Sequence, residues 1–501
     1  MDHEVVVVGG GIGGLTVAAL LAQRGLDVCL LEREPRLGGC GASFDKFDHS
    51  FEQGYGLFTS WEPDEIHDLV FSELPVEPPE VRLLEPGYVV RLPDQSEIAL
   101  GCNKERGDRE QFEQDLRSTF PECAETALGF YRKLALIGAA LRQALKRAPD
   151  FLSASKARRA FTLLPKGRIA AEILTAGQQS ALAHLDGTSP RFRRFVEVQL
   201  QALAQGSSAE VSYLHAALAL SASQHGMFAI RGGTAALANS LADSIKKSGG
   251  SIRLDTPVLR LSYNSSGIAI GVDLLSGERV GASKAIVSNL TVWDTYGKLV
   301  GLNRTPGEVR KQLNALRGWG AYLLYLSLDE DAAESLVSDH ILTLTDWQEG
   351  QDYDPEANQF LFAAAPSWDP RAPQGKRAVT VHTFTEVDDW FTFHKDETEL
   401  EEKDQQMLEL CWGRLHAAMP ELGSRLEVID TATPRSFYDL TRRKLGMVGG
   451  AIPSPETFWL NQPSYLTSLA NLFIVSDTTY PGGIAGLTRS ALLLANRLTN
   501  R

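Results

Sequence analysis

The sequence has no run of roughly eighteen or more apolar residues free of charge, so no segment of it is expected to cross a membrane. Its first apolar stretch starts at Glu4 and runs straight into glycines. The basic, apolar, small-residue order of a secretory leader is therefore not expected here. Cysteine is scarce: five in 501 residues (Cys29, Cys40, Cys102, Cys123, Cys411), an odd and scattered set without C-x-x-C. This argues against a disulfide framework and a zinc site, points to a reducing compartment, and leaves no metal to be expected. Basic residues are in deficit, 49 against 63 acidic for a net charge of −14, which excludes wholesale nucleic-acid binding. Internal repeats and low-complexity tracts are absent. What remains is an ordinary globular composition, 43% hydrophobic and 22% charged, long enough for two or more folding units.

The amino-terminal segment carries the strongest local signal. Glu4-Val5-Val6-Val7-Val8 has the β-branched pattern of a strand buried on both faces of a parallel sheet. Gly9, Gly11 and Gly14 then satisfy G-x-G-x-x-G. An apolar helical stretch from Leu15 ends at Gly25, and a second strand from Asp27 to Leu31 ends on Glu32. Each part has a physical task. Gly9 permits the tight turn, Gly11 lets backbone approach a pyrophosphate, and Gly14 lets helix and strand pack closely; the helix N-terminus favours phosphate. Glu32 stands where a carboxylate accepts both ribose hydroxyls of an adenosine, which favours NAD or FAD over NADP.

Arg36-Leu37-Gly38-Gly39 follows Glu32, and Phe51-Glu52-Gln53-Gly54 comes soon after. With these, the chain resembles the flavoprotein superfamily of amine oxidases and phytoene desaturases, whose signature continues past the acid with R-x-G-G and then F-[DE]-x-G. The carboxyl end fits the same resemblance: an apolar strand from Asn471 to Val475, then Ser476-Asp477, then Pro481-Gly482-Gly483-Ile484-Ala485-Gly486 leading into a helix from Leu487 to Leu498. The family more often has glycine where this chain has Ser476. Between the two ends, Phe228 to Thr234 opens a helix running to about Lys247, followed by a strand from Ser251 to Leu261. A hairpin around Ser276-Gly277 comes next.

The resemblance implies FAD as cofactor and an α/β fold: a Rossmann-like FAD-binding domain of amine-oxidase type, a mixed-sheet substrate domain and a helical membrane-associating region. It implies a discontinuous FAD domain (1–75, 210–295 and 462–501), a substrate domain (76–108 and 296–461) and a helical basic region (109–209). The implied cofactor-binding residues are Gly9, Gly11, Ile12, Gly13, Gly14, Glu32, Arg33, Arg36, Gly38, Gly39, Val258, Asp477, Gly483, Ile484 and Ala485. Val258 matches a position that contacts adenine through its backbone, and Asp477 one that holds the ribityl chain.

Charge is unevenly spread. From Tyr131 to Ala170 there are ten basic residues and one acid, Asp150, interleaved with Leu134, Leu141, Leu145, Phe151, Phe161 and Leu164. Basic residues beside an apolar stripe describe a helix lying in the interface of an anionic membrane, with a solvated basic face as the plainer alternative. The expected location is therefore peripheral, on the cytoplasmic side of a membrane. Trp319, Tyr322, Tyr325, Phe360 and Phe362 read as core of the second sheet, with a hydrophobic tunnel as the alternative.

Arg194 to Leu200, Ser207 to Leu237, Thr433 to Phe437 and Gly446 to Gly450 resemble carotenoid 3′,4′-desaturases and the neighbouring carotenoid isomerases. This implies an oxidoreductase that desaturates a lipid-soluble carotenoid or isoprenoid by hydride transfer to flavin, with quinone or oxygen as electron acceptor. Candidate proton-handling residues are Glu52, His215, His225 and Arg231, each in or near a motif adjoining the flavin. Two alternatives stay open: a flavin-dependent cis–trans isomerase or saturase, and a non-enzymatic prenyl-lipid-binding chaperone of the same fold. Amine oxidation is disfavoured, because Tyr480 is the sole aromatic near the closing motif where an aromatic cage is expected.

Overall fold

The computed structural model describes residues 2–101, 106–347, 353–391, 397–460 and 464–500. Cys102 and the expected domain limit at 461/462 lie outside the described residues. The strand β1 (Asp2–Val8) is buried from Val5 onward and pairs in parallel with β2 (Val28–Leu31) on one side and with Arg279–Ser288 on the other. The helix α1 (Ile12–Gln23) crosses over between β1 and β2, buried along nearly its whole length, as a parallel crossover requires.

Three distant parts of the chain complete this seven-stranded sheet. Ser251–Arg253 extends it beyond β2, Leu472–Ile474 adds in parallel to Arg279–Ser288, and the hairpin strands Val258–Tyr263 and Ala269–Leu274 finish the far edge. The single strand expected from Ser251 to Leu261 is thus two strands on opposite edges of the sheet. Asp255 adopts a left-handed φ of 49°, and Pro257 lacks the N–H that a continuous ladder needs.

A second seven-stranded sheet is mostly antiparallel, ordered from Leu426–Ala432 through Gly320–Asp329, Lys376–Thr385, Gln359–Ala364, His340–Leu344 and Tyr88–Arg91 to Glu97–Leu100. One face packs under the helix Glu397–Ala418, where Tyr322, Phe360 and Phe362 are core residues. On the other face, Tyr88, Leu342 and Leu361 share a core with the helices Ala124–Arg147, Pro190–Ala204 and Tyr213–Leu220. Among the described residues, no helix is long and apolar enough to cross a membrane. The arrangement puts the carboxyl ends of β1 and β2 opposite the second sheet and the helices, with a cavity between.

Candidate functional site

The turn after β1 is built by close approach. A Cβ on Gly14 would lie 2.2 Å from the Gly9 carbonyl oxygen, and one on Gly11 would lie 2.6 Å from Asn289 Oδ1. Only hydrogen fits at either place. The Gly10 N–H donates to Glu32 Oε2 (2.6 Å) and the Glu34 N–H to Glu32 Oε1 (2.8 Å), fixing the carboxylate beside the glycine loop. Asn289 Nδ2 donates to the Val475 carbonyl (2.7 Å), tying the middle of the chain to its end. Gly482 and Gly483 then start the helix Gly483–Thr499, whose first turn carries no acid to cancel its positive end.

These elements open on a cavity of about 670 Å3. Of the cofactor-binding residues expected from the sequence, all but Gly14 line it, and Gly14 acts one step back by letting α1 pack on the loop. The backbone cradle, the fixed Glu32 carboxylate and the helix N-terminus fit the adenosine, pyrophosphate and flavin parts of FAD. Val258 and Asp477 line the same space. Asp477 is already engaged: its carboxylate accepts from Arg443 Nη2 at 3.0 Å. Arg443 also donates to the carbonyls of Met447 (2.7 Å) and Gly449 (2.5 Å). Burial pulls the Arg443 pKa down, but the Asp477 carboxylate more than reverses this, so the guanidinium stays charged. Arg443 is a site residue that the sequence reading missed; the only signal was the adjoining glycine-rich stretch.

The four proton-handling candidates are not brought together. Glu52 lines the cavity, yet its carboxylate is fully used: Oε1 accepts from the backbone N–H (2.9 Å) and hydroxyl (2.6 Å) of Thr234, and Oε2 accepts from Arg371 Nη1 (3.1 Å). His215 lines the cavity, buried, with its Nδ1 unpartnered; burial holds its pKa down to about 4. His225 does not reach the cavity, which Ala222 and Met227 line from the same turn. Arg231 does not reach it either. The strand before it, Phe228–Ile230, pairs with the surface strand Val81–Leu83 and turns the guanidinium outward onto Glu80 (2.5 Å).

Other residues stand in the cavity wall without having been expected: His67, Arg142, His382, Tyr480 and Arg489. Burial and, less strongly, Arg489 hold the His67 pKa down to about 3. Between them runs an apolar wall including Leu145, Leu152, Leu203, Leu218 and Met227. None of Trp319, Tyr322, Tyr325, Phe360 or Phe362 lines the cavity.

The comparisons agree with this geometry. The prolycopene isomerase of Arabidopsis thaliana chloroplasts is 23% identical over 508 residues, covering 99% of this chain and 82% of that protein. The all-trans-retinol 13,14-reductase of Danio rerio is 24% identical, covering 100% of this chain and 86% of that protein. Among solved structures, putrescine oxidase bound to putrescine superposes with a TM-score of 0.63 at 14% identity over 100% of both chains. An oxidoreductase from Methanosarcina mazei gives 0.62 at 17% identity over 99% of both. The profile of the flavin containing amine oxidoreductases matches residues 12–499, so the chain belongs to that family and is an FAD-dependent enzyme.

Proposed function

We propose that this chain transforms a lipid-soluble polyene of the carotenoid or retinoid type. The observation that carries the reading is the wall of the cavity beyond the nucleotide cradle. It is apolar over a long stretch, interrupted by uncharged histidines rather than by a free carboxylate. Bound FAD supplies a reversible two-electron centre able to take or give a hydride. The protein's own contribution is then to exclude water, hold an extended chain along the leucine wall and provide a group for the proton. Full-length similarity to a prolycopene isomerase and to a retinol reductase supports the substrate class.

Desaturation remains our first reading of the reaction, as the resemblance of the sequence implied, with quinone or oxygen as final electron acceptor. A second reading, cis–trans isomerisation or saturation by reduced flavin, is favoured by the names of the two relatives. Anaerobic incubation with acyclic carotenes in liposomes tests both. Loss of two hydrogens with flavin bleaching supports desaturation. Unchanged product mass, or a gain of two hydrogens, obtained only after the flavin is reduced, refutes it.

We further propose that the enzyme works peripherally at an anionic membrane surface. In the basic segment, Phe161 is 74%, Leu164 66% and Leu136 59% exposed. The basic face is smaller than the sequence count implied. Arg132, Lys133, Lys146 and Arg158 pair with Glu113, Glu172, Glu65 and Asp150, and Arg159 turns inward over the Trp459 ring. Lys156, Lys166 and Arg168 remain beside the exposed Phe161 and Leu164, the mix of charge and apolar side chains that an anionic interface attracts. Leu145 and Leu152 of the same segment line the cavity, so one stretch of chain links surface and site.

A further inference from the structure

The helix Gly483–Thr499 presents its first turn to the nucleotide cradle, but it carries a charged residue further in. Arg489 lies six residues past Gly483, about 9 Å along the helix axis, and it too lines the cavity. Its side chain reaches the helix Ala124–Arg147, where Nη1 donates to the Leu145 carbonyl at 3.3 Å. Leu145 belongs to the apolar wall beyond the cradle, with Leu152 and Leu218. Arg489 therefore stands at the substrate end of the cavity. Arg142, one turn before Leu145 on the same helix, brings a second guanidinium to that end. Its Nη2 donates to the Ser221 carbonyl and hydroxyl, both at 2.9 Å.

Arg489 is a buried cation without a counterion. The residue is 8% exposed, and among the described residues the bond to Leu145 is its one hydrogen bond and it makes no ion pair. Neither Nε nor Nη2 is sealed in the protein; both open on the cavity. The acids nearby are already taken: Glu65 holds Lys146 at 3.1 Å and Asp150 holds Arg158 at 2.7 Å. Glu62, whose pKa burial raises, lies outside the cavity lining. His67, in the same wall, is kept uncharged by burial and, less strongly, by Arg489 itself. Water entering the cavity can solvate Nε and Nη2. A plain hydrocarbon pressed against them would strip that water and leave the charge bare. A carboxylate replaces it, because the Nε and Nη2 edge of a guanidinium offers two parallel N–H groups at the spacing of two carboxylate oxygens.

We propose that Arg489 binds a terminal carboxylate of the substrate, so that the polyene is an amphiphile with one acidic end. The assignment rests on the polyene reading above. The carboxylate takes the Nε and Nη2 edge, Arg142 adds positive potential beside it, and the hydrocarbon chain lies along the leucine wall. No bond is made or broken at the acid end. The contact fixes which end of the chain is held, and hence which carbons lie at the flavin.

The test measures binding of all-trans-retinoic acid, its uncharged methyl ester and retinol to the FAD-loaded full chain. Quenching of tryptophan fluorescence at a fixed concentration of nonionic detergent reads it. The wild type should bind the acid about 10- to 100-fold more tightly than the ester, the range for hydrogen bonds to a charged group. Arg489→Met should bring the acid down to the level of the ester while the ester affinity and the FAD content stay the same, and Arg489→Lys should keep part of the preference. Equal affinity of the wild type for acid and ester overturns the assignment. So does a preference that survives in Arg489→Met, a loss shared equally by acid and ester, or a loss of FAD, which would move Arg489 to the cofactor. Conversion of acyclic carotene without any preference for the acid leaves the polyene reading standing and removes the acidic end alone. If none of the three probes binds and no carotene is converted, the polyene reading falls, and this assignment with it.

Discussion

Glu52 shows how far geometry can move a residue from the role its motif implied. Its side chain is 8% exposed and that of Arg371 10%, and the pair also holds the N-terminus of the helix Gly233–Lys247 through Thr234. Replacing it in Glu52→Gln keeps the shape and one acceptor for Thr234, but sets an amide donor against a buried guanidinium. Breaking a buried pair by removing one charge costs about 3–5 kcal/mol. Arg371 retains Asp369 at 2.6 Å, so roughly 2–3 kcal/mol is expected here, concentrated where the partners meet. At about 1.4 kcal/mol per decade this is roughly a 30- to 150-fold increase in local opening. Hydrogen–deuterium exchange of peptides spanning 228–240 should rise by that factor in the FAD-loaded variant. Carotene turnover per bound FAD should change by less than tenfold. Unchanged protection together with lost turnover would refute the structural role and return Glu52 to the chemistry.

Gly14→Ala should purify with little FAD, because its Cβ meets the Gly9 carbonyl at 2.2 Å and backbone on both sides cannot give way; flavin absorbance against protein absorbance measures this. Asp477→Asn strands the buried Arg443 guanidinium and should cost about 3–5 kcal/mol, read as lower FAD content and melting temperature, with partial recovery in the double variant carrying Arg443→Met. His67, His215, His340 and His382 have folded pKa values between about 3 and 4, below the ordinary 6.5, so the unfolded chain binds more protons across that interval. Stability should therefore be intact above pH 6.5 and fall as pH drops below it, by up to about 1.4 kcal/mol per pH unit for each histidine. Melting temperatures measured from pH 7 to 5 check the sign. Replacing Lys156, Lys166 and Arg168 with glutamate should abolish cosedimentation with anionic vesicles, since each basic residue near such a surface contributes about 1 kcal/mol. Undiminished binding would remove this face from the membrane proposal.

The nucleotide cradle was legible because backbone sterics leave few residue choices: where a Cβ would collide with a carbonyl, the sequence must read glycine at that spacing. The strand break at Pro257 was legible in principle, since a proline cannot donate to a ladder; the apolar residues on either side, Ile252 and Leu254 before it and Val258, Leu259 and Leu261 after it, hid it by reading as one run. The substrate side follows different rules. Whether His382 faces the cavity or the helix Glu397–Ala418 depends on its pairing with Leu361, a register that the alternating sequence of one strand does not reveal. Glu52 meets Arg371 across 319 positions, and Asp477 meets Arg443 across 34. Each arginine looks like surface charge until the fold supplies its carboxylate. The apolar wall was hidden for a simpler reason: Leu145, Leu152 and Met227 carry no local mark that separates cavity lining from core.

The fold is shared with an oxidase that binds putrescine, so architecture alone does not select between an amine and a polyene, and the charges lining the cavity carry that argument. An ammonium entering an apolar cavity needs a carboxylate or an open aromatic face to offset its lost hydration. Among the described residues, six carboxylates line this cavity, Glu32, Glu34, Glu52, Glu65, Asp294 and Asp477. Five of them already face a cation: Glu34 with Arg33, Glu52 with Arg371, Glu65 with Lys146, Asp294 with Lys298 and Asp477 with Arg443. The sixth, Glu32, accepts two backbone N–H groups at the nucleotide end. Beside leucines and neutral histidines, Arg142, Arg489, Tyr55, Phe58 and Tyr480 line the same cavity; the two arginines oppose an ammonium, and the apolar residues accommodate a hydrocarbon. Among the described residues that line this cavity, every carboxylate is thus already engaged by arginine, lysine or backbone N–H, which leaves none open to pair with an ammonium.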